Sequence, residues 1–176
     1  MQRVLVAGIT GAGKTTAAQR IGQRIGAPFH EMDALAIGPE WSTPPDFVAN
    51  VERILVEPRW VFDSYGYEQV REAMWAAADT VIWLDYPLRV VAPRIVRRSL
   101  SRSWRRTPVF GGNIETWRSW LTADHPVWWA LRQHGARRRA IADLVRRAGP
   151  GLHVVHLTSP RAFERWLGTD VDADVD

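Results

Sequence analysis

Short apolar runs alternate along this chain with longer segments in which apolar residues recur every three or four positions. The short runs are typical of buried parallel strands, and the longer segments are typical of amphipathic helices. The pattern predicts five strands, at residues 3–7, 29–32, 60–62, 80–84 and 152–157. It predicts helices at 14–25, 46–57, 127–147 and 160–167, with others ending near 78, following 87 and covering 115–121. This alternation indicates an α/β protein built on one parallel sheet.

The length of the chain limits its organisation. Its 176 residues suffice for one compact α/β domain and are too few for two ordinary ones. We expect a single domain over residues 1–168, followed by a disordered acidic tail at 169–176. The sequence has no cysteine, which excludes a disulfide framework and thiol chemistry. It shows neither a signal-peptide pattern nor an apolar run of membrane-spanning length, so we expect a cytoplasmic protein with no membrane partner.

The first predicted strand runs into the loop Gly8-Ile9-Thr10-Gly11-Ala12-Gly13-Lys14-Thr15, and a helical pattern follows. This is a complete Walker A motif, G-x-x-x-x-G-K-[ST], in its strand, loop and helix context. Backbone N–H groups of such a loop surround a phosphate at the start of the helix. Lys14, the only lysine of the chain, is expected to reach the β- and γ-phosphates of ATP, and the Thr15 hydroxyl to bind Mg²⁺. The expected ATP-binding residues here are Gly8, Gly11, Ala12, Gly13, Lys14, Thr15 and Thr16.

Acidic residues follow three of the predicted strands. Asp33, Asp63 and Asp85 each stand at or just past the carboxyl end of a strand. In an open parallel sheet this edge is where ligands bind. Asp63 and Asp85 are therefore both candidates for holding Mg²⁺, and the alternative for each is an aspartate that caps the following turn.

Arginine dominates the middle of the chain, with no acidic residue between positions 88 and 106. Pro93 is expected to kink the helix of this region or to delay its start. The part from about 97 to 113, which contains Gly111-Gly112, is predicted to form a short Arg-rich helical lid. Because no recognisable DNA- or RNA-binding motif accompanies the arginines, they favour a phosphate compound as partner and argue against specific nucleic-acid binding.

In motif and order the chain resembles the nucleoside-monophosphate-kinase-like P-loop proteins, and most closely the small bacterial adenylate-kinase-related proteins often labelled DNA topology modulation proteins. The segments that carry this resemblance are 8–15, 30–35, 60–63, 78–85 and 94–98. The resemblance implies a P-loop NTPase fold, with a five-stranded parallel sheet of order 2-3-1-4-5 and helices on both faces.

The resemblance also implies roles for individual residues. The strand order would bring Asp63 beside the P-loop strand, which favours it over Asp85 for Mg²⁺. Arg94 and Arg98 would contact the nucleotide and the transferring phosphate, and Arg161 would lie in the adenine pocket. Asp33 would orient or deprotonate an acceptor hydroxyl, as the corresponding acid does in related small-molecule kinases.

These expectations describe an ATP- and Mg²⁺-dependent kinase that transfers the γ-phosphoryl group to a small-molecule or nucleotide acceptor. Related proteins usually place Gly-Asn-Tyr after the third strand, where this chain has Ser64-Tyr65-Gly66-Tyr67. It also lacks the long lid of the larger adenylate kinases. Both departures argue against AMP as the acceptor. The alternative is a nucleotide-binding regulatory protein with little or no transfer activity.

Overall fold

The computed structural model of the chain describes residues 1–105 and 126–169. In this part of the chain, five parallel strands form one sheet of order β2-β3-β1-β4-β5. The strands are β1 Arg3–Gly8, β2 Phe29–His30, β3 Trp60–Phe62, β4 Thr80–Leu84 and β5 His153–Leu157. The strand order confirms the predicted fold class.

Helices connect the strands and cover the sheet. They are α1 Lys14–Ile25, α2 Met32–Ala36, α3 Phe47–Leu55, α4 Arg71–Ala77, α5 Leu88–Arg105, α6 Pro126–Arg147 and α7 Pro160–Gly168, with a 3-10 turn at Pro39–Trp41. The predictions for α1, β3 and β4 are confirmed to the residue. The glycine hinge of the predicted lid, the helix predicted at 115–121 and most of the acidic tail lie outside the described residues. No helix in the described ranges is long and apolar enough to cross a membrane.

The core consists of two apolar layers, one on each face of the sheet. Alternate residues of a strand face opposite sides, so Val4 and Val6 pack with α1 and α7, whereas Leu5 and Ala7 pack with α3, α4 and α6. Both layers contain fully buried side chains, such as Ile21 of α1. The helices therefore lie on both faces, as predicted, and hold β1 in the middle of the sheet.

One local prediction is wrong. The second strand ends at His30 rather than at residue 32, because the backbone N–H of Met32 turns away to donate a 2.9 Å hydrogen bond to Oδ1 of Asp63. Asp33 consequently lies just past the strand, in the short helix α2. Of the two alternatives predicted for Pro93, the late helix start is excluded, because Pro93 lies inside α5, which begins at Leu88. Proline removes a single backbone donor there, and the buried side chains of Val91 and Ile95 stabilise the helix on either side of it.

Candidate active site

The Walker A segment forms the loop between β1 and α1, beneath α5. Gly11 has a φ of +83°, and a Cβ at this position would lie 2.5 Å from Cγ1 of Ile95. A side chain at residue 11 would therefore be strained by its backbone and would collide with α5. Gly13 is the N-cap of α1, and no side chain caps the helix there. The uncapped N–H groups at the start of α1 suit a bound anion.

Lys14 extends from the first residue of α1 along this loop. Its Nζ donates a 3.3 Å hydrogen bond to the carbonyl of Ile9. Burial lowers the pKa of Lys14 from 10.5 to about 8, although the charges of Asp33 and Asp63 act in the opposite direction. The positive charges of nearby arginines lower this pKa further. A half-buried ammonium group with several cationic neighbours is arranged to bind an anion.

Asp63 is joined directly to the first turn of α1. Its Oδ2 accepts a 2.6 Å hydrogen bond from the Thr15 hydroxyl, and its Oδ1 accepts one from the backbone N–H of Met32. The carboxylate is buried, with 8% of the residue exposed. The strand order explains this contact, because β3 pairs with β1 and so ends beside the loop that follows β1.

Asp85, the other candidate for binding Mg²⁺, is hydrogen-bonded to side chains of α6 and β5. Its two oxygens accept hydrogen bonds of 2.7 and 2.9 Å from Nε and Nη2 of Arg138, and Nε2 of His156 lies 3.0 Å from Oδ2. Burial raises the pKa of Asp85, but the hydrogen bonds from Arg138 and His156 outweigh it, so the pKa lies below its ordinary value of 3.8. Asp85 thus ties α6 and β5 to the end of β4.

Asp33 is exposed on α2 and bonded to the loop after β3. Its Oδ1 accepts a 2.9 Å hydrogen bond from the hydroxyl of Tyr67. Burial, followed by the charge of Asp33, raises the pKa of Tyr67, so the phenol stays protonated as the donor. The Tyr67 ring packs edge-on against Phe47 of α3, with ring centres 5.7 Å apart. This packing fixes the hydroxyl that holds the Asp33 carboxylate.

These groups surround a cleft of about 480 Å³ at the carboxyl edge of the sheet. The cleft brings together seven predicted residues, which are Gly11, Gly13, Lys14, Thr15, Asp33, Asp63 and Arg98. Its other lining residues are Thr10, Ser64, Tyr65, Gly66, Tyr67, Glu68, Arg71 and Arg137. One wall is the Walker A loop, and the opposite wall is formed by α2 and the loop that follows β3.

Two arginines that line the cleft, Arg71 and Arg137, were not predicted from the sequence. Nη1 of Arg137 donates a 3.3 Å hydrogen bond to the Thr10 hydroxyl, which brings α6 to the Walker A loop. Ile141, one turn after Arg137, is fully buried. Because residues four apart share a helix face, this apolar position could have indicated that Arg137 faces the sheet and not the solvent.

A second cavity of about 250 Å³ lies on the other side of the Walker A loop. Arg94 lines it, and its Nη1 donates a long hydrogen bond of 3.4 Å to the carbonyl of Ala12. The Arg94 guanidinium also lies 5.9 Å from the ring centre of Tyr86. Further lining residues are Gly13, Thr16, Ala17, Arg20, Leu84, Pro160, Phe163 and Glu164. Arg94 and Arg98 therefore face different cavities, and Arg161, exposed on α7, is among the lining residues of neither.

Comparison with known proteins identifies structural relatives only. No protein-family model and no curated protein matches the chain. Shikimate kinase from Acinetobacter baumannii, in complex with shikimate, superposes with a TM-score of 0.56 at 13% identity, covering 94% of this chain and 88% of that one. An unliganded sugar kinase from Janibacter sp. gives a TM-score of 0.50 at 17% identity, covering 95% and 92%.

A third structure, a gluconokinase from Sinorhizobium meliloti, has 18% identity over 94% of this chain and 91% of that one, but its TM-score of 0.48 supports no argument. At such low identities the matches establish a shared fold alone. That fold is the P-loop kinase fold, in agreement with the strand order.

Proposed function

We propose that this chain is an ATP- and Mg²⁺-dependent phosphotransferase that moves the γ-phosphoryl group of ATP to a small-molecule or nucleotide acceptor. The observation that carries the proposal is that one cleft contains both Lys14 of the Walker A loop and Asp33 on the opposite wall. A phosphate-binding group and a carboxylate that face the same space suit transfer between a nucleotide and a second substrate. The shikimate kinase and the sugar kinase named above, which share the fold, support the same class of reaction.

ATP would span the two cavities. The smaller one, with the Tyr86 ring and the Arg94 guanidinium, would take the nucleoside, and the Walker A loop would bind the phosphates. The Thr15 hydroxyl and the Asp63 carboxylate would hold Mg²⁺, directly and through water respectively, since oxygen ligands of this kind suit the ion. Bound Mg²⁺ supplies charge neutralisation at the β- and γ-phosphates. Lys14, Arg98 and Arg137 would stabilise the remaining charge from the protein side.

Asp33 would act on the acceptor. The acceptor oxygen forms a bond to the γ-phosphorus, the bond from that phosphorus to the bridging oxygen of ADP breaks, and ADP leaves with the electron pair. The hydroxyl proton passes to the Asp33 carboxylate, whose Oδ1 is already oriented by Tyr67. If the acceptor is a nucleotide phosphate, no proton needs to be removed, and Asp33 positions the acceptor only.

We also propose membership of the nucleoside-monophosphate-kinase-like group, near the adenylate-kinase-related proteins. Two observations favour a small alcohol over AMP as the acceptor. They are the Ser64-Tyr65-Gly66-Tyr67 loop of this chain and the small-molecule kinases that share its fold. A single domain at 1–168 and a cytoplasmic location remain part of this proposal.

The direct test measures ADP release from ATP and Mg²⁺ with a panel of small alcohols and nucleoside monophosphates. Thermal unfolding with and without ATP, in the parent and in Lys14→Ala, reports nucleotide binding separately. Acceptor-dependent ADP release would support the proposal. ATP-induced stabilisation without transfer to any acceptor would replace it with the regulatory alternative, and equal stabilisation of Lys14→Ala by ATP would contradict both.

A further inference from the structure

The first residue of α4, Arg71, brings into the cleft a guanidinium group that the phosphate chemistry does not require. We infer that the acceptor carries an anionic group of its own, a carboxylate or a phosphate, and that Arg71 binds this group while the reacting oxygen faces Asp33. This inference rests on the proposed function and names the class of its second substrate.

Arg71 is held in place by contacts that leave part of its guanidinium available. Its Nε donates a 3.1 Å hydrogen bond to the carbonyl of Gly66, and its Cζ lies 5.1 Å from the ring centre of Tyr65. Across residues 1–105 and 126–169, no carboxylate forms an ion pair with Arg71, including Glu68, which lines the same cleft. The two terminal nitrogens can therefore bind a ligand without first breaking an ion pair.

The surrounding loop is built closely around this arginine. Gly66 has a φ of +91°, and a Cβ there would lie 2.8 Å from Cα of Arg71, so only glycine permits the approach. The hydroxyl of Ser64 accepts a 3.0 Å hydrogen bond from the Gly66 N–H, and the Trp75 indole donates one of 3.0 Å to the carbonyl of Tyr65. A guanidinium fixed in this way loses little conformational freedom when it binds an anion.

Arg71 and Asp33 form hydrogen bonds to adjacent residues of the same loop. Gly66 accepts the hydrogen bond from Arg71, and the next residue, Tyr67, donates to Asp33. Arg71 and Asp33 also line the same cleft of about 480 Å³, so a small acceptor bound there can meet both groups. An acceptor with an anionic group at one end and a hydroxyl at the other matches this pair of charges. The planar guanidinium suits carboxylate and phosphate equally, and it would not be needed for a neutral polyol.

The experiment compares acceptors that differ in their anionic group. Binding of glycerol, glycerate and glycerol 3-phosphate, and of adenosine and AMP, is measured by calorimetry in the presence of ADP and Mg²⁺. In at least one of these two sets, we expect the parent to bind an anionic compound on the order of tenfold or more tightly than the neutral one. A single charge-assisted hydrogen bond accounts for a difference of this size. Glycerate and glycerol 3-phosphate distinguish a carboxylate from a phosphate.

Arg71→Gln should abolish this preference, and Arg71→Lys, which keeps the charge but loses the fork, should restore part of it. The matched control is Arg165→Gln, because Arg165 is exposed on α7 and lines neither cavity. The inference is overturned if the parent binds neutral and anionic members equally, if it binds none of them, or if Arg71→Gln keeps the preference. If ADP release is as fast with neutral alcohols as with anionic ones, the proposed function stands and only this inference fails. A lack of ATP-induced stabilisation would instead count against the proposed function.

Discussion

The Thr15 hydroxyl donates a 2.6 Å hydrogen bond to Oδ2 of Asp63, so the first turn of α1 and the end of β3 meet at a single pair of oxygens. Asp63→Asn keeps the size of the side chain, and the amide oxygen can still accept from the Met32 N–H. We expect the Mg²⁺ concentration needed for ATP-induced stabilisation to rise on the order of tenfold to a hundredfold, the usual scale for an outer-sphere metal partner. Thermal unfolding with ATP across a Mg²⁺ titration measures this.

Asp85→Asn is the matched control for that substitution. Because Asp85 is bonded to Arg138 and His156, its replacement should lower thermal stability and leave the Mg²⁺ requirement unchanged. The reverse pattern, with the Mg²⁺ requirement altered by Asp85→Asn alone, would show that the metal partner was assigned to the wrong strand.

Lys14→Ala should weaken ATP binding by about tenfold to a hundredfold, the scale of a lost charged hydrogen bond. Burial of the Lys14 ammonium lowers its pKa, so holding the charge in place costs folding free energy rather than supplying it. The unliganded variant should accordingly unfold at the parent's temperature or above it. Calorimetric ATP titration and a thermal melt measure the two quantities, and a destabilised variant would mean that Lys14 is structural.

Asp33→Asn should retain ATP affinity and slow transfer to a hydroxyl acceptor by about a hundredfold, the usual scale for the loss of a general base. The same substitution should mainly weaken acceptor binding if the acceptor is a phosphate. Steady-state kinetics, with kcat and KM determined separately, distinguish the two cases. Glu52→Gln, on the exposed face of α3, is the control for the loss of a carboxylate. Parent-like transfer by Asp33→Asn would leave Asp33 a structural role only.

The arginines on α5 should affect different kinetic constants. Arg98 lines the cleft with Lys14, so Arg98→Gln should lower kcat by about a hundredfold, as for other groups that stabilise developing charge. Arg94 lines the smaller cavity, so Arg94→Gln should chiefly raise the KM for ATP. Arg89→Gln, an exposed position near the start of the same helix, is the control. Equal effects of both substitutions on kcat would show that the two cavities do not have separate roles.

Arg138→Gln should destabilise the protein at neutral pH, because it leaves the buried Asp85 carboxylate with His156 as its remaining partner. The pKa of Asp85 lies below 3.8 in the folded protein, so its contribution to stability is complete above that pH and is lost as pH falls through the lower, folded value. The stability difference between parent and variant should therefore narrow on acidification. Urea unfolding over an acidic pH series measures it, with the neighbouring exposed Arg139→Gln as control.

The sequence was most informative where a local pattern alone determines structure. The Walker A loop needs its glycines, Lys14 and Thr15 at fixed spacing, and the apolar run of β4 can be buried only as a central strand. The approach of Asp63 to Thr15 also followed once the strand order was known. Asp33 was predicted just past the second strand, where it lies, but the short helix α2 was not predicted, because the hydrogen bond from Met32 to Asp63 joins segments distant in sequence.

Arg71 and Arg137 were missed for a similar reason. Arginine on a helix is usually solvated, and a local pattern does not reveal which helix end meets the edge of the sheet. The contact between Arg137 and Thr10 depends on how α6 packs across β1, and the orientation of Arg71 depends on the Tyr65 ring and the Gly66 carbonyl. Such tertiary contacts decide which arginines line the cleft.

The central position of β1 has a consequence for synthesis on the ribosome. This strand is the first element of the chain, and its buried residues Val4 and Leu5 pair with Val61 of β3 and Val81 of β4, among others. Until those distant segments emerge, the nascent chain carries this apolar strand with neither edge paired, the condition under which chaperones bind and chains aggregate. We therefore expect translation stalled before β3 to yield an aggregation-prone fragment, although that fragment already contains the complete nucleotide-binding motif.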